Sequence, residues 1–399
     1  MSDRTRLRLK KNEDRRLRGG HLWIFSNEVD TAATPLKAFA AGDLAVVENS
    51  RGESLGLAYV NPESLISARI LCRNIEADIG RAFFKKRLER ALELREWAYD
   101  KPFYRLAYGE SDGLPGVVID RFGDVLVVQI STAGMERLQE PLLEALDAMF
   151  APCVMVLKNS SGLRALEGLE RYTRVVRGEL SGPVEIEENG ARFLADPIEG
   201  QKTGWFFDHR DNRAELAKLC RGRRVLDLFS YTGAWSIPAA LAGAVQVDCV
   251  DASEPALQLA AENARLNGVA ERMEFVREEV FDFLKRAREE RRHYDVVVVD
   301  PPAFIKRRKD LAQGVEAYRR LNQAALQVLG YGGILVSASC SFHLPRETLH
   351  DLLRASARHI DRHLIFFARG GQAHDHPVHP AIPETDYLKA FFCYVEPGL

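Results

Sequence analysis

Val296, Val297, Val298 and Val299 run without a break into Asp300-Pro301-Pro302. A strand that is apolar at every position has no wet face, so it must be buried on both sides. That requirement selects a parallel sheet covered by helices on each face. The two prolines fix φ and remove backbone N–H donors, so the strand ends in a rigid turn. From about residue 195 onward the rest of the pattern agrees. Strand-like runs at 225–228, 245–250, 273–276, 296–299 and 334–337 alternate with Ala- and Leu-rich stretches such as 256–266 and 318–329. This predicts a doubly wound, Rossmann-like α/β domain over 195–399. Ligands of such sheets bind beyond the carboxyl ends of the strands, so those ends are the candidate site.

The chain of 399 residues, 46% hydrophobic, is long enough for two or three cores. Residues 1–75 hold short β runs at 21–25, 42–47, 54–59 and 65–71, punctuated by Gly, Asn and Pro, which predict a small β-barrel. Residues 76–194 read as a central α+β domain for substrate handling. It has a helix at 82–97, a hairpin turning at Gly123-Asp124, and a second hairpin at 186–193 turning on Asn189-Gly190.

Between Arg4 and Arg18 eight basic residues stand against Glu13 and Asp14. Such a cluster attracts phosphate backbones, although a basic run on its own is more often a solvated face. The six cysteines are far apart, without metal-ligand spacing, so disulfides, structural zinc and a metal cofactor are not expected. A charged N-terminus and the lack of a long apolar run predict a cytoplasmic protein without a membrane anchor.

The first strand of the C-terminal domain ends in Asp227-Leu228-Phe229-Ser230-Tyr231-Thr232-Gly233. A dinucleotide loop needs several glycines to admit a pyrophosphate, and this one has a single glycine among bulky neighbours. It suits a ligand without phosphates. The second strand ends in Asp251, where a carboxylate can accept both hydroxyls of a ribose. That feature does not by itself separate a dehydrogenase from a methyltransferase. The third strand leads into Glu279-Val280 and the fourth into Asp300-Pro301.

Several segments resemble known families. Gly20 to Phe25, Gly42 to Val47, and Asn61-Pro62 through Ser64 to Arg69 are similar to a PUA domain, an RNA-binding module. The whole chain resembles the ribosomal RNA large subunit methyltransferase I family, on residues 108–116, Gln201 to Arg210, Leu226 to Gly233, Asp300-Pro301-Pro302-Ala303-Phe304, Ser339-Cys340-Ser341 and Asp375 to Val378. The resemblance implies transfer of a methyl group from S-adenosylmethionine, leaving S-adenosylhomocysteine, to carbon 5 of a cytosine in 23S rRNA. It implies Cys340 as nucleophile and Asp300 as hydrogen-bond partner of the base. Carbon 5 of cytosine is a poor nucleophile until a thiolate adds to carbon 6, which explains a cysteine at this place.

By the same resemblance Phe206, Phe207, Asp208 and Arg210 flank the cofactor, and Asp227 with Phe229, Ser230, Tyr231, Thr232 and Gly233 holds its methionine part. Asp251 would take the ribose, Glu279 with Val280 the adenine, and Asp300-Pro301 would border the reacting methyl. The base that removes the carbon 5 proton is left between Glu384 and His376. An RNA methyltransferase acting on guanine N7 or N2, or on adenine N6, is the alternative reading, since Asp-Pro-Pro-x-Phe is similar to motifs of those enzymes. A nucleotide-dependent oxidoreductase and an RNA-binding protein with a degenerate catalytic fold are further alternatives. The loop's single glycine disfavours the first. Intact Asp227, Asp251, Asp300 and Cys340 disfavour the second. The target nucleotide and any pairing into a homodimer stay open.

Overall fold

A computed structural model describes residues 4–398. The chain forms two compact units. The first comprises Met1–Val184, Ala195–Phe207 and His374–Thr385; the second comprises Glu185–Leu194, Asp208–Ala373 and Asp386–Leu399.

The first unit contains two five-stranded sheets. One has the order Arg6–Arg8, Asp43–Glu48, Ser54–Val60, Ile66–Cys72, Trp23–Phe25, with only its first pair parallel. Alternate residues Leu7, Val47, Ala58, Val60, Ala68 and Ile24 close its core. The other has the order Tyr172–Arg177, Val154–Asn159, Val125–Ile130, Val117–Phe122, Phe103–Tyr108. Helices Arg81–Glu96 and Gln139–Phe150 cover it through Phe84, Leu88, Leu142 and Leu146. Tyr59 joins that second core from the first sheet. Its ring fills the space above Gly134, where an added Cβ would lie 2.0 Å from Tyr59 Cγ.

The polar residues of the PUA-like motif converge on one buried carboxylate. Glu167 accepts hydrogen bonds from Asn61 Nδ2 (2.8 Å), Ser64 Oγ (2.9 Å) and Arg69 Nη1 (3.1 Å). All four residues are less than a tenth exposed. The motif is therefore a structural cradle. The basic N-terminal run is also largely engaged internally. Arg6 and Arg8 pair with Glu48, Arg16 with Glu28, Arg18 with Asp14 and Glu53, and Arg4 and Lys10 bond backbone carbonyls.

The second unit is built on a seven-stranded sheet: β1 (Arg224–Leu228), β2 (Gln246–Asp251), β3 (Met273–Arg277), β4 (Tyr294–Val299), β5 (Leu329–Ser339), β6 (Arg362–Gly370) and β7 (Lys389–Pro397). The order is β3-β2-β1-β4-β5-β7-β6. Helices α1 (Ser236–Leu241), α2 (Glu254–Leu266), α3 (Val280–Glu289), α4 (Leu311–Val328) and α5 (Arg346–His359) connect the strands. The Rossmann-like expectation holds, with one difference. The last two strands are antiparallel: β7 inserts between β5 and β6. Leu388, Lys389, Ala390, Phe391, Phe392 and Cys393 are all buried, as a strand with neighbours on both edges requires. The valine strand β4 is fully buried from Val296 to Val299. A hairpin, Val184–Glu188 with Ala191–Ala195, turns on Asn189 (φ 52°) and Gly190 (φ 80°), the two left-handed residues of a tight hairpin turn. Among the described residues no helix is long and apolar enough to cross a membrane.

Replacing Glu167 by Ala should leave buried Arg69 with only the more distant carboxylate of Glu110, at 3.8 Å, a loss of about 3 kcal/mol. A urea titration followed by Trp fluorescence is expected to show the first unit's transition at clearly lower denaturant. An unshifted midpoint would mean that the cradle carries no stability.

Candidate active site at the carboxyl ends of the parallel strands

Register assembles the site. Leu228 stands level with Val250 on one side and Val299 on the other, and Val299 stands level with Ser337. The last residue of β2 and the residues that follow β1, β4 and β5 therefore emerge on one edge of the sheet. These are the loop 229–233, Asp251, Asp300 and Cys340.

The loop after β1 is strained. Phe229 (φ 62°) and Tyr231 (φ 50°) are left-handed without being glycine, and Gly233 (φ 81°) completes an alternating series. Such backbone persists only where surroundings enforce it, and it clusters at ligand sites. Here Ser230 N bonds Val250 O (3.1 Å), Tyr231 N bonds Asp251 Oδ2 (3.0 Å), and Asn263 of α2 holds the Thr232 carbonyl (3.1 Å). Asp251 Oδ1 accepts from Ser253 N (2.8 Å), so its carboxylate is oriented by backbone on both oxygens.

Beneath the loop, Asp227 is completely buried, with Oδ2 taking a 2.6 Å hydrogen bond from Ser236 Oγ. Among the described residues its Oδ1 and the buried Thr232 Oγ1 have no hydrogen-bond partner. Buried polar atoms are seldom left so. Both point to a ligand that brings its own polar groups. Burial, reinforced by the charges of Asp300 and Asp251, pushes Asp227 up to about 7.

Asp300 is held from the opposite side. Its Oδ2 accepts from Trp235 Nε1 (3.0 Å), and Oδ1 lies 3.2 Å from His209 Nε2. Burial would raise its pKa, but the charge of the adjacent His209 and the hydrogen bond from the indole N–H outweigh that and hold it below the usual carboxylate range. Asp300 is thus an ionised acceptor at neutral pH.

Cys340 is partly exposed between two buried serines. The Tyr318 hydroxyl of α4 bonds both Ser339 Oγ (2.8 Å) and Ser341 Oγ (2.9 Å). Ser341 Oγ in turn accepts from Ile305 N (3.2 Å), at the end of the Asp300-Pro301-Pro302-Ala303-Phe304 turn. The Cys340 thiol faces the Pro301 carbonyl at 4.0 Å. One hydroxyl therefore fastens the cysteine turn to the aspartate turn.

The remaining sequence-derived candidates are distributed as follows. In the first unit, Phe207 is buried with its ring 5.6 Å from Phe122, and half-buried Phe206 carries Lys202 Nζ over its ring at 4.7 Å. In the second, Asp208 Oδ2 accepts from Tyr387 Oη (2.5 Å), and buried Arg210 lies 3.6 Å from Glu188. Glu279 is exposed at the start of α3, where Val280 is buried. His376 is buried against Asp375 (2.7 Å) and Glu384 is exposed, both in the first unit. His209, Trp235, Ser236, Tyr318 and Lys389 were not foreseen. Only His209, flanked by Asp208 and Arg210 in a recognised motif, left a usable signal. Among the described residues no group of three or more His, Cys, Asp or Glu is placed to hold a metal ion.

Because folding raises Asp227 from 3.8 to about 7, the native state keeps a proton that the unfolded chain has lost. Stability from this group is present below about pH 4 and falls as pH rises towards 7. Asp227→Asn should match the wild type near pH 4 and exceed it at pH 8, by on the order of 4 kcal/mol. Denaturant titrations at the two pH values check this; parallel curves would refute the raised pKa.

Residues 168–391, more than half of the chain, match the family model for S-adenosylmethionine-dependent methyltransferases, and residues 7–73 match a PUA-like domain. Among solved structures, a methyltransferase named SMU.776, crystallised with SAH, superposes with a TM-score of 0.84 at 20% identity, covering 98% of this chain and all of that one. A SAM-dependent methyltransferase from Streptococcus mutans gives 0.82 at 21%, with the same coverage. These likenesses speak for the fold. The orphaned Asp227 Oδ1 and Thr232 Oγ1 suit the ammonium and carboxylate of the methionine part of S-adenosylmethionine.

Curated relatives match over almost the whole length. Ribosomal RNA large subunit methyltransferase I of Cronobacter sakazakii is 38% identical over 396 residues, 98% of this chain and 99% of that protein. The protein of that name from Photobacterium profundum is 37% identical over 397 residues, 98% and 100% of the two chains. With an S-adenosylmethionine-dependent catalytic fold, a PUA-like domain and this end-to-end identity, the chain belongs to the ribosomal RNA large subunit methyltransferase I family.

Proposed function

We propose that this enzyme methylates carbon 5 of a cytosine in 23S ribosomal RNA through a covalent bond between Cys340 Sγ and carbon 6. The observation that carries the reading is the Ser339-Cys340-Ser341 turn. A partly exposed thiol is clamped on both sides by Tyr318 and tied to the turn that presents Asp300. A methyltransferase acting on a base nitrogen needs no nucleophile and gives no reason for this clamp.

The loop 229–233 and Asp227 would hold the methionine part of S-adenosylmethionine, Asp251 the ribose, and Glu279 with Val280 the adenine. When bound, that cofactor supplies an electrophilic methyl group on a sulfonium. The Cys340 thiolate adds to carbon 6, and its electron pair makes carbon 5 enamine-like and able to take the methyl. Asp300, ionised and fixed by Trp235 and His209, accepts a hydrogen bond from the base and stabilises the positive charge that a proton at N3 brings. Water then takes the carbon 5 proton, and the C–H electron pair re-forms the C5–C6 double bond. The C6–S bond breaks to free the thiolate, and N3 returns its proton to solvent. The target base must first leave its stack.

The name of the relatives supplies the ribosomal RNA, and charge supports it. Lys306, Arg307, Arg308 and Lys309 are all exposed directly after the Asp300 turn, and among the described residues only Arg307 of the four has an ion-pair partner, Asp310 at 3.4 Å. The triple change Lys306→Ala, Arg308→Ala and Lys309→Ala should lower the slope of log affinity for rRNA against log salt by about 2, at about 0.7 per single-stranded phosphate contact. An unchanged slope would remove this run from the RNA path.

A 23S rRNA fragment bearing 5-fluorocytidine should be methylated once and then trapped, because fluorine cannot leave as a cation. The adduct is expected to need S-adenosylmethionine and to survive denaturing electrophoresis. Cys340→Ala should abolish adduct and turnover while cofactor affinity, measured by calorimetry, stays unchanged. No adduct together with an active Cys340→Ala enzyme would favour a nitrogen acceptor.

A further inference from the structure

We propose that Lys389 is a positioning residue for the cysteine chemistry: its ammonium, fastened to the turn that carries Cys340, holds that thiol in its thiolate form. This rests on the reading of Cys340 as nucleophile. Lys389 is the first residue of β7, and its Cα pairs with Ser339 at the end of β5. From there the side chain reaches across the turn, and Nζ donates to the Ser341 carbonyl at 2.6 Å. Its backbone is thus level with the residue before Cys340, and its charge bonds the residue after. The cysteine is bracketed.

The lysine is 6% exposed, and among the described residues the Ser341 carbonyl is its one hydrogen-bond partner. A buried ammonium with one neutral acceptor lacks a counter-charge. Burial accordingly pulls Lys389 down to about 8, while a thiolate at Cys340 and the carboxylate of Asp386 favour its charged form. Asp386 is the other anion that acts on the lysine; it is exposed to solvent, where water screens its charge. Arg346, from the start of α5, opposes the charge and is itself turned to the Gly370 and Leu388 carbonyls at 2.9 and 3.4 Å. Tyr318, from α4, stays a neutral phenol between its two serines, since burial raises its pKa. Of the two anions that favour the charged lysine, the Cys340 thiolate is the one carried on the turn to which the lysine is fastened. An ordinary thiol, with a pKa of about 8.5, is only a few per cent ionised at pH 7; an adjacent ammonium raises that fraction. The proton passes to solvent and no redox partner is involved.

The test is the pH profile of iodoacetamide alkylation at Cys340 in the full-length protein, read by mass spectrometry of its peptide, with exposed Cys153 as the internal reference. Wild-type Cys340 should reach half its maximal rate at least one pH unit below the ordinary thiol value. In Lys389→Met the midpoint should rise, and the rate at pH 7 should fall about tenfold. Lys389→Arg, which keeps the charge, should stay within about threefold of wild type. A wild-type midpoint at the ordinary value overturns the proposal, whether or not Lys389→Met folds. So does an unmoved midpoint in a folded Lys389→Met. A purely structural tether would leave the midpoint where it was. Failure of the cytosine reading would show separately, as an active Cys340→Ala enzyme without a trapped adduct.

Discussion

The parallel ladder of β4 with β1 and β5 is the contact on which the chemistry depends. Because Leu228, Val299 and Ser337 stand in register, three chain segments leave the sheet side by side, each carrying a different function. A slip of one residue in β4 would turn Val297 and Val299 to the opposite face and displace Asp300 relative to Cys340. The burial of four valines on both faces makes that slip costly. Each side chain contributes on the order of 2 kcal/mol when fully removed from water. The apolar strand is thus a positioning device for the polar residue that follows it.

Beyond the strand ends, precision comes from hydrogen bonds that cross between loops. Ser341 joins the cysteine turn to the aspartate turn through Ile305 N, Tyr318 clamps that turn through Ser339 and Ser341, and Trp235 joins Asp300 to the loop after β1. Tyr318 is completely buried and Trp235 nearly so, which keeps their single polar atoms in fixed positions. The acids of the site are tuned in opposite directions by their surroundings. Asp227, buried against other carboxylates, is raised, while Asp300, facing an imidazole and an indole N–H, is lowered. Two aspartates on one sheet edge therefore have different protonation at neutral pH.

In the first unit, charge is largely satisfied within the fold. Glu167 gathers Asn61, Ser64 and Arg69, and Glu48, Glu28 and Asp14 engage much of the N-terminal basic run. Residues that look like an RNA-binding signature by type are here mainly a framework for the domain. The exposed run from Lys306 to Lys309 in the catalytic unit is far less neutralised. Residue type alone does not separate a binding cation from a structural one; the partner decides.

What could be read without a structure was whatever depends on local pattern. The valine run before Asp300-Pro301-Pro302 announced a buried parallel strand. The single-glycine loop after Asp227 argued against a phosphate ligand, and Asn189-Gly190 marked a hairpin, because backbone conformation and burial impose local residue choices. The strands β6 and β7 escaped, since β6 is a partly exposed edge and β7 packs against β5 across more than forty intervening residues. The same separation hid the partners of the site residues: Trp235 for Asp300, Tyr318 for Ser339 and Ser341, and Lys389 for the cysteine turn. Sequence determined which groups end the strands. Only the tertiary structure decided what each of them faces, because charge and hydrogen bonding act through space between residues that the chain order keeps apart.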